Sequence, residues 1–133
     1  MENSEKKVLV VEDDVDLRNI LVDGLSLSNY KIMQAGDGEQ AVELIVDSLP
    51  DLILLDLLLP KLDGFKVLER LRQYPDKNVA QIKVVVLSNL WSDKDILRAQ
   101  ALKVDEYFVK ANTNLEDVFN KVKIILSNTR NAQ

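Results

Sequence analysis

Residues 52–64 read LILLDLLLPKLDG: four apolar residues in a row, then Asp56, then three leucines and a proline. A carboxylate in so apolar a run is costly unless something at that point needs its charge. The four residues ahead of it have the pattern of a parallel strand covered on both faces, which reads as unbroken Val, Ile and Leu instead of alternating with polar residues. Val8–Val11, Tyr30–Ala35, Val84–Leu87 and Tyr107–Val109 repeat that pattern, the second of them weakly. Asp56 thus stands at the end of the third of five expected strands.

Helical spacing fills the intervals. Leu17, Ile20, Leu21 and Leu25 recur at one-turn steps, and Ala41, Ile45 and Leu49 make a second stripe. A third helix is expected from about Leu62 to Tyr74 and a fourth from about Asp93 to Leu102. A fifth carries Leu115, Val118, Phe119, Val122 and Ile125 and ends near Leu126. Asp14 reads as the N-cap of the first helix, Gly36-Asp37-Gly38 as the turn before the second, and Pro50-Asp51 as the end of the second. Thr113 and Glu116 have the spacing of a capping box opening the last helix. Asp63-Gly64 is read as a tight turn or a helix entry, and not as a site. Five βα units in series predict an α/β, flavodoxin-like (βα)5 fold: one doubly wound parallel sheet, strand order 2-1-3-4-5, with helices on both faces.

The 133 residues are expected to form a single domain, 1–133, with its core at about 7–126 and polar, frayed ends at 1–6 and 127–133. No second domain is expected to follow. The chain carries a net charge of −5 and no clustered basic patch, which argues against direct nucleic-acid binding. No apolar stretch approaches the ~20 residues of a membrane span, and the polar start MENSEKK is not a secretory signal, so the cytoplasm is the expected compartment. With neither cysteine nor histidine, the chain has no disulfide, no thiol nucleophile, none of the usual zinc ligands and no imidazole base. Its chemistry must come from carboxylates, hydroxyls, lysines, backbone groups or an added metal.

In open sheets of this kind, sites lie beyond the carboxyl ends of the strands where the strand order reverses, here between strands one and three. Strand one runs into Glu12-Asp13-Asp14, strand three into Asp56, strand four into Ser88-Asn89 and strand five into Lys110. Glu12, Asp13 and Asp56 then converge, and with Lys110 they leave two net negative charges. Like charges that close raise one another's pKa or require a cation. Hard oxygen donors without His or Cys point to Mg2+, or Mn2+, as metal cofactor. Beside such a cation, Lys110 and the Ser88 hydroxyl make a receptor for a phosphoryl group. Asp56 then acts as the nucleophile that accepts it, forming an acyl phosphate.

VLVVEDD at 8–14, LILLDLLLPKLDG at 52–64, VVVLSN at 84–89 and DEYFVK at 105–110 together resemble the receiver domain of bacterial two-component response regulators, over nearly the whole chain. The resemblance implies that Glu12 and Asp13 are the acidic pair that helps to hold Mg2+, that Asp56 is the phosphoacceptor, and that the backbone carbonyl of Leu58 is a further metal ligand. It implies that Ser88 follows the phosphoryl group, that Tyr107 is an aromatic switch that turns inward, and that Lys110 bonds a phosphoryl oxygen. It also implies a histidine kinase or histidine phosphotransfer protein as donor and a downstream protein target reading the face of the fourth helix, fifth strand and fifth helix. Dimerisation on phosphorylation is a further expectation. The protein would be a phosphoacceptor and not an enzyme beyond its own phosphorylation and dephosphorylation. Three positions depart from the family pattern. Ala111 follows the lysine where the family has a proline in a cis peptide, Asn89 stands where a small residue is usual, and Leu58 offers no polar side chain to an attacking water.

Two other functions compete. One is a receiver-like interaction module that works without phosphorylation, which Ala111 and Asn89 favour. The other is a small nucleotide or flavin binder, against which stand the absence of a G-x-G-x-x-G or G-x-x-x-x-G-K loop and the acidity of the crevice. Trp91, in the loop after strand four, is expected to pack locally.

Overall fold

The computed structural model describes residues 5–130, and of residues 129 and 130 only the backbone. The elements run β1 (Lys6–Val11), α1 (Val15–Leu25), β2 (Tyr30–Ala35), α2 (Gly38–Ser48), β3 (Leu52–Leu55), α3 (Gly64–Arg72), α4 (Lys77–Ala80), β4 (Lys83–Ser88), α5 (Asp93–Ala101), β5 (Glu106–Val109), a 3-10 turn (Lys110–Asn112) and α6 (Leu115–Arg130). The five strands are all parallel and lie in the order β2-β1-β3-β4-β5, as the alternation of strand and helix predicts.

Strand side chains alternate between faces, and here both sets are apolar. Leu9, Val11, Ile53, Leu55, Val84 and Val86 point into one layer with Ala41 and Ile45 of α2, Leu68 and Leu71 of α3, Val79 of α4 and Ala99 of α5. Val8, Val10, Leu52, Leu54, Val85 and Leu87 point into the other, against Leu21 and Leu25 of α1 and Val118, Val122 and Leu126 of α6. This is why the central runs lack polar alternation: either face exposed to water would forfeit roughly 1.5–3 kcal/mol per side chain. Register places Val11 opposite both Ala35 and Leu55, and Leu55 opposite Val86, so β1 and β3 reach the same edge of the sheet together.

Several local expectations are corrected. The third helix starts at Gly64 and ends at Arg72, because the Asp63 carboxylate accepts from the Lys66 N–H and caps it. Of the two readings of Asp63-Gly64, the helix entry is the one that forms. A further single turn, α4, follows it under the Asp76 cap, so the expected fourth and fifth helices are α5 and α6. The Thr113–Glu116 box does not form. Thr113 Oγ1 donates to Val109 O at 2.6 Å, and Asn114 Oδ1 takes the Glu116 N–H at 2.9 Å, so Asn114 is the cap. The helix it opens runs one turn beyond Leu126, to Arg130.

Leu49 is not part of the second apolar stripe. It closes α2 in the left-handed region (φ 50°, ψ 64°) and is half exposed, as is Ile20 on α1. Lys6 belongs to β1, and the expected fraying of residues 1–4 and 131–133 falls outside the described residues. All described peptide bonds are trans, Lys110–Ala111 included.

Candidate functional site

The sheet's own hydrogen bonding sets the site. Past the end of β1, the Glu12 N–H donates to Ala35 O at 3.0 Å; past the end of β3, the Asp56 N–H donates to Val11 O at 3.0 Å. Both carboxylates thus leave the sheet from backbone that is still paired. Glu12 is 2% exposed and Asp56 4% exposed. Lys110, leaving β5 into the 3-10 turn, reaches across to both: Nζ lies 2.8 Å from Asp56 Oδ2 and 2.8 Å from Glu12 Oε1. The remaining oxygens take backbone donors. Leu58 N–H donates to Asp56 Oδ1 at 3.1 Å, and Asp14 N–H donates to Glu12 Oε2 at 3.1 Å. Gly64 permits this turn, because a Cβ there would lie 2.6 Å from Asp56 O and 2.5 Å from Leu57 Cα.

Asp13 completes the cluster. One carboxylate oxygen from each of Glu12, Asp13 and Asp56 falls within 4.8 Å of the others. Asp13 is exposed, and no hydrogen bond or ion pair reaches its carboxyl among the described residues. Asp14, next along, faces away from the cluster as the α1 cap, accepting from the Leu17 N–H at 3.1 Å. Burial pushes the Glu12 pKa up, opposed by the Lys110 and Asp14 hydrogen bonds, while the Asp56 charge adds to the rise. Burial pushes Lys110 down, but its hydrogen bonds to Asp56 and Glu12, with their charges, outweigh this and hold it above the usual lysine value. One ammonium against three carboxylates leaves a negative deficit, and the donor set is all carboxylate oxygen. That is the chemistry of a Mg2+ or Mn2+ site, and these residues fit it.

Glu12, Asp13, Asp56 and Lys110 are therefore brought together as the strand order requires, and Leu58 meets Asp56 through its N–H. Ser88 and Tyr107 both engage the backbone of Leu90 instead. Ser88 is fully buried at the end of β4, and its Oγ accepts from the Leu90 N–H at 3.4 Å; the Tyr107 hydroxyl donates to Leu90 O at 2.7 Å. The Tyr107 ring is half-buried, with its hydroxyl tied to the Leu90 backbone. Burial first, then the Asp95 and Asp56 charges, raise its pKa to about 12. Asn89 and Ala111 are exposed at the two loop tips. Trp91 does not pack: it is 73% exposed just ahead of Ser92, the α5 cap.

One residue at the site went unread in the sequence. Arg18, on α1, donates from Nη1 to Glu12 O at 2.7 Å and from Nε to Gln34 Oε1 at 3.3 Å. Its acceptor at Glu12 is a backbone carbonyl, which leaves no mark in the residue pattern.

An open parallel sheet carrying acids at its switch point and a lysine at its fifth strand has the layout of a receiver. The family model described as response regulator receiver domain matches residues 8–123, and the chain belongs to that family. It is accordingly a response regulator receiver domain of the two-component kind. The probable transcriptional regulator ycf27 of Cyanophora paradoxa is 34% identical over 98% of this chain and 52% of its own length. The DNA-binding dual master transcriptional regulator RpaA of Synechocystis is 34% identical over 92% of this chain and 50% of its own. The chain thus spans about half the length of these curated relatives. Among solved structures, that of the phosphorylated cyanobacterial phytochrome response regulator RcpA is similar with a TM-score of 0.78 and 34% identity, covering 92% of this chain and 91% of that one. No helix among the described residues is long and apolar enough to cross a membrane.

Proposed function

We propose that this receiver is a phosphorylation switch in which Asp56 accepts a phosphoryl group from the phosphohistidine of a histidine kinase or a histidine phosphotransfer protein. The observation that carries the reading is Asp56 itself: buried, oriented by the Leu58 N–H on one oxygen and the Lys110 ammonium on the other, and crowded by two more carboxylates. A carboxylate oxygen of Asp56 attacks phosphorus, the P–N bond breaks, and the imidazole leaves with its electron pair and takes a proton from solvent. The product is an aspartyl phosphate. Lys110 gives up part of its pairing with Asp56 and donates to a phosphoryl oxygen, and the Ser88 hydroxyl turns from Leu90 to do the same. Glu12, Asp13 and Asp56 would hold Mg2+, with the Leu58 carbonyl as a further ligand; the ion offsets charge on the phosphoryl oxygens.

Once Ser88 moves, the Leu90 N–H loses that partner while its carbonyl keeps the Tyr107 hydroxyl, and the α5-β5-α6 face responds as a shift between two populated states that a downstream protein reads. The protein is then a phosphoacceptor, with no turnover on a separate substrate, and works in the cytoplasm, where an ATP-dependent kinase supplies phosphohistidine. The test is labelling with a small phosphodonor, with Mg2+ and with chelator, followed by sizing for dimers. Wild type is expected to take hydroxylamine-labile label only with Mg2+, and Asp56→Asn none. Equal labelling of Asp56→Asn sinks the proposal. An unlabelled wild type favours the phosphorylation-independent interaction module.

A further inference from the structure

We propose that Arg18 is the positioning residue of the carboxylate cluster: it fixes the Glu12–Asp13 peptide so that the Asp13 carboxyl is presented to a divalent cation. This rests on the reading of Glu12, Asp13 and Asp56 as the cation-holding set. Asp13 is the exposed member, and no partner among the described residues holds its side chain. Its direction must come from the backbone it springs from. That backbone is pinned on both sides of Glu12. The N–H donates to Ala35 O at 3.0 Å, and the carbonyl, which belongs to the Glu12–Asp13 peptide, accepts from Arg18 Nη1 at 2.7 Å. The second contact is short and charge-assisted, the stronger class of hydrogen bond.

The guanidinium is itself seated. Nε donates to Gln34 Oε1 at 3.3 Å, so one planar group ties the loop after β1 to the end of β2. Gly36 leaves room for it: a Cβ at that position would lie 3.0 Å from Arg18 Nη1 and 3.9 Å from Arg18 Cζ. Arg18 is rooted in turn by the first turn of α1, where its N–H donates to Asp14 O at 2.9 Å. The loop Glu12-Asp13-Asp14 is thus enclosed by contacts that all avoid the Asp13 carboxyl.

Two roles for Arg18 predict opposite signs. As a bare positive charge near the cluster, it opposes a divalent cation, and removing it tightens Mg2+ binding. As a positioning group, it supports binding, and removing it weakens the site; losing an outer partner of a metal site ordinarily costs about tenfold or more in affinity. The experiment is Mg2+ titration calorimetry on wild type, Arg18→Ala, Arg18→Lys and Asp13→Asn, each with a urea unfolding curve. Arg18→Ala is expected to raise the Mg2+ Kd by about tenfold. Arg18→Lys, which keeps the charge but not the fork, is expected to fall between it and wild type. A Kd for Arg18→Ala equal to or tighter than wild type overturns the inference, and so does a lowered urea midpoint with unchanged Kd. Should the alanine variant fail to fold, the lysine variant decides: a weakened Kd at full charge supports positioning, and an unchanged one overturns it. If wild type binds no Mg2+, or Asp13→Asn binds as wild type does, the cation site itself is refuted and the inference goes with it.

Discussion

Replacing Lys110 with methionine keeps the side-chain stem and removes the one cation that two buried carboxylates share. Glu12 Oε1 and Asp56 Oδ2 each lie 2.8 Å from Nζ, and the two residues are almost wholly out of water. Stripping one partner from a buried ion pair ordinarily costs about 3–5 kcal/mol. Here protonation sets a ceiling. An unpaired buried carboxyl takes up a proton instead of staying charged, and from the ordinary glutamate value of 4.5 to neutral pH that uptake costs about 3 kcal/mol at ~1.4 kcal/mol per pH unit. Near pH 5 the same uptake costs less than about 1 kcal/mol. In the variant the folded carboxyl pKa is raised, so the native state binds the extra proton and stability falls as pH rises through the weakly acidic range. Urea unfolding followed by circular dichroism should therefore show Lys110→Met less stable than wild type by about 3 kcal/mol at neutral pH, with the gap shrinking to about 1 kcal/mol near pH 5. Mg2+ should restore part of the neutral-pH loss. A gap of the same size at both pH values would refute the reasoning, because it would mean the carboxylates do not depend on Lys110 for their charge.

Tyr107 should titrate late: its pKa is raised to about 12 against an ordinary 10.0, so the stabilisation of its neutral form is complete below the ordinary value and is lost as pH rises through about 12. Phenolate absorbance during alkaline titration should lose its highest component in Tyr107→Phe; loss of a component near the ordinary value instead would refute the burial of this hydroxyl beside Asp95 and Asp56. Gly64→Ala should cost about 1–3 kcal/mol, read by urea unfolding, and should also lower phosphodonor labelling, since the new Cβ displaces the Asp56–Leu57 backbone. Asn114→Ala should lose about 1 kcal/mol in urea unfolding, since its Oδ1 takes the Glu116 N–H; an unchanged stability would refute Asn114 as the cap of α6. Asp56→Asn and Arg18→Ala are tested by the labelling and calorimetry described above.

What the sequence made legible follows from where the physics is local. β3 and β2 lie where their runs predict, because burial on both faces or pairing to β1 demands those residues. Strand ends were read short where the chain turns polar: Lys6 and Lys7 on β1, Lys83 on β4, and Glu106 on the edge strand β5, where it pairs with Lys121 at 3.3 Å. The α4 turn is too short to show a period, and Leu49 has the spacing of a core residue but the backbone of a cap. At the cap of α6, two adequate residues stand side by side, and the 3-10 turn decides between them by using Thr113. The cluster of Glu12, Asp13, Asp56 and Lys110 was legible only through topology, since Lys110 and Asp56 are 54 residues apart and meet because the strand order puts their ends on one edge. Arg18 and the Leu90 junction were not legible, since the contacts that bring them to the site, to Glu12 O and to the Leu90 N–H and carbonyl, are made to main-chain atoms, which every residue has.

The chain holds a single tryptophan, and it stands exposed one residue beyond Leu90, whose N–H and carbonyl engage Ser88 and Tyr107. All indole fluorescence therefore arises from one spot on one loop. Changes in that emission report the surroundings of residue 91 directly, with no dye to attach and no second indole to subtract.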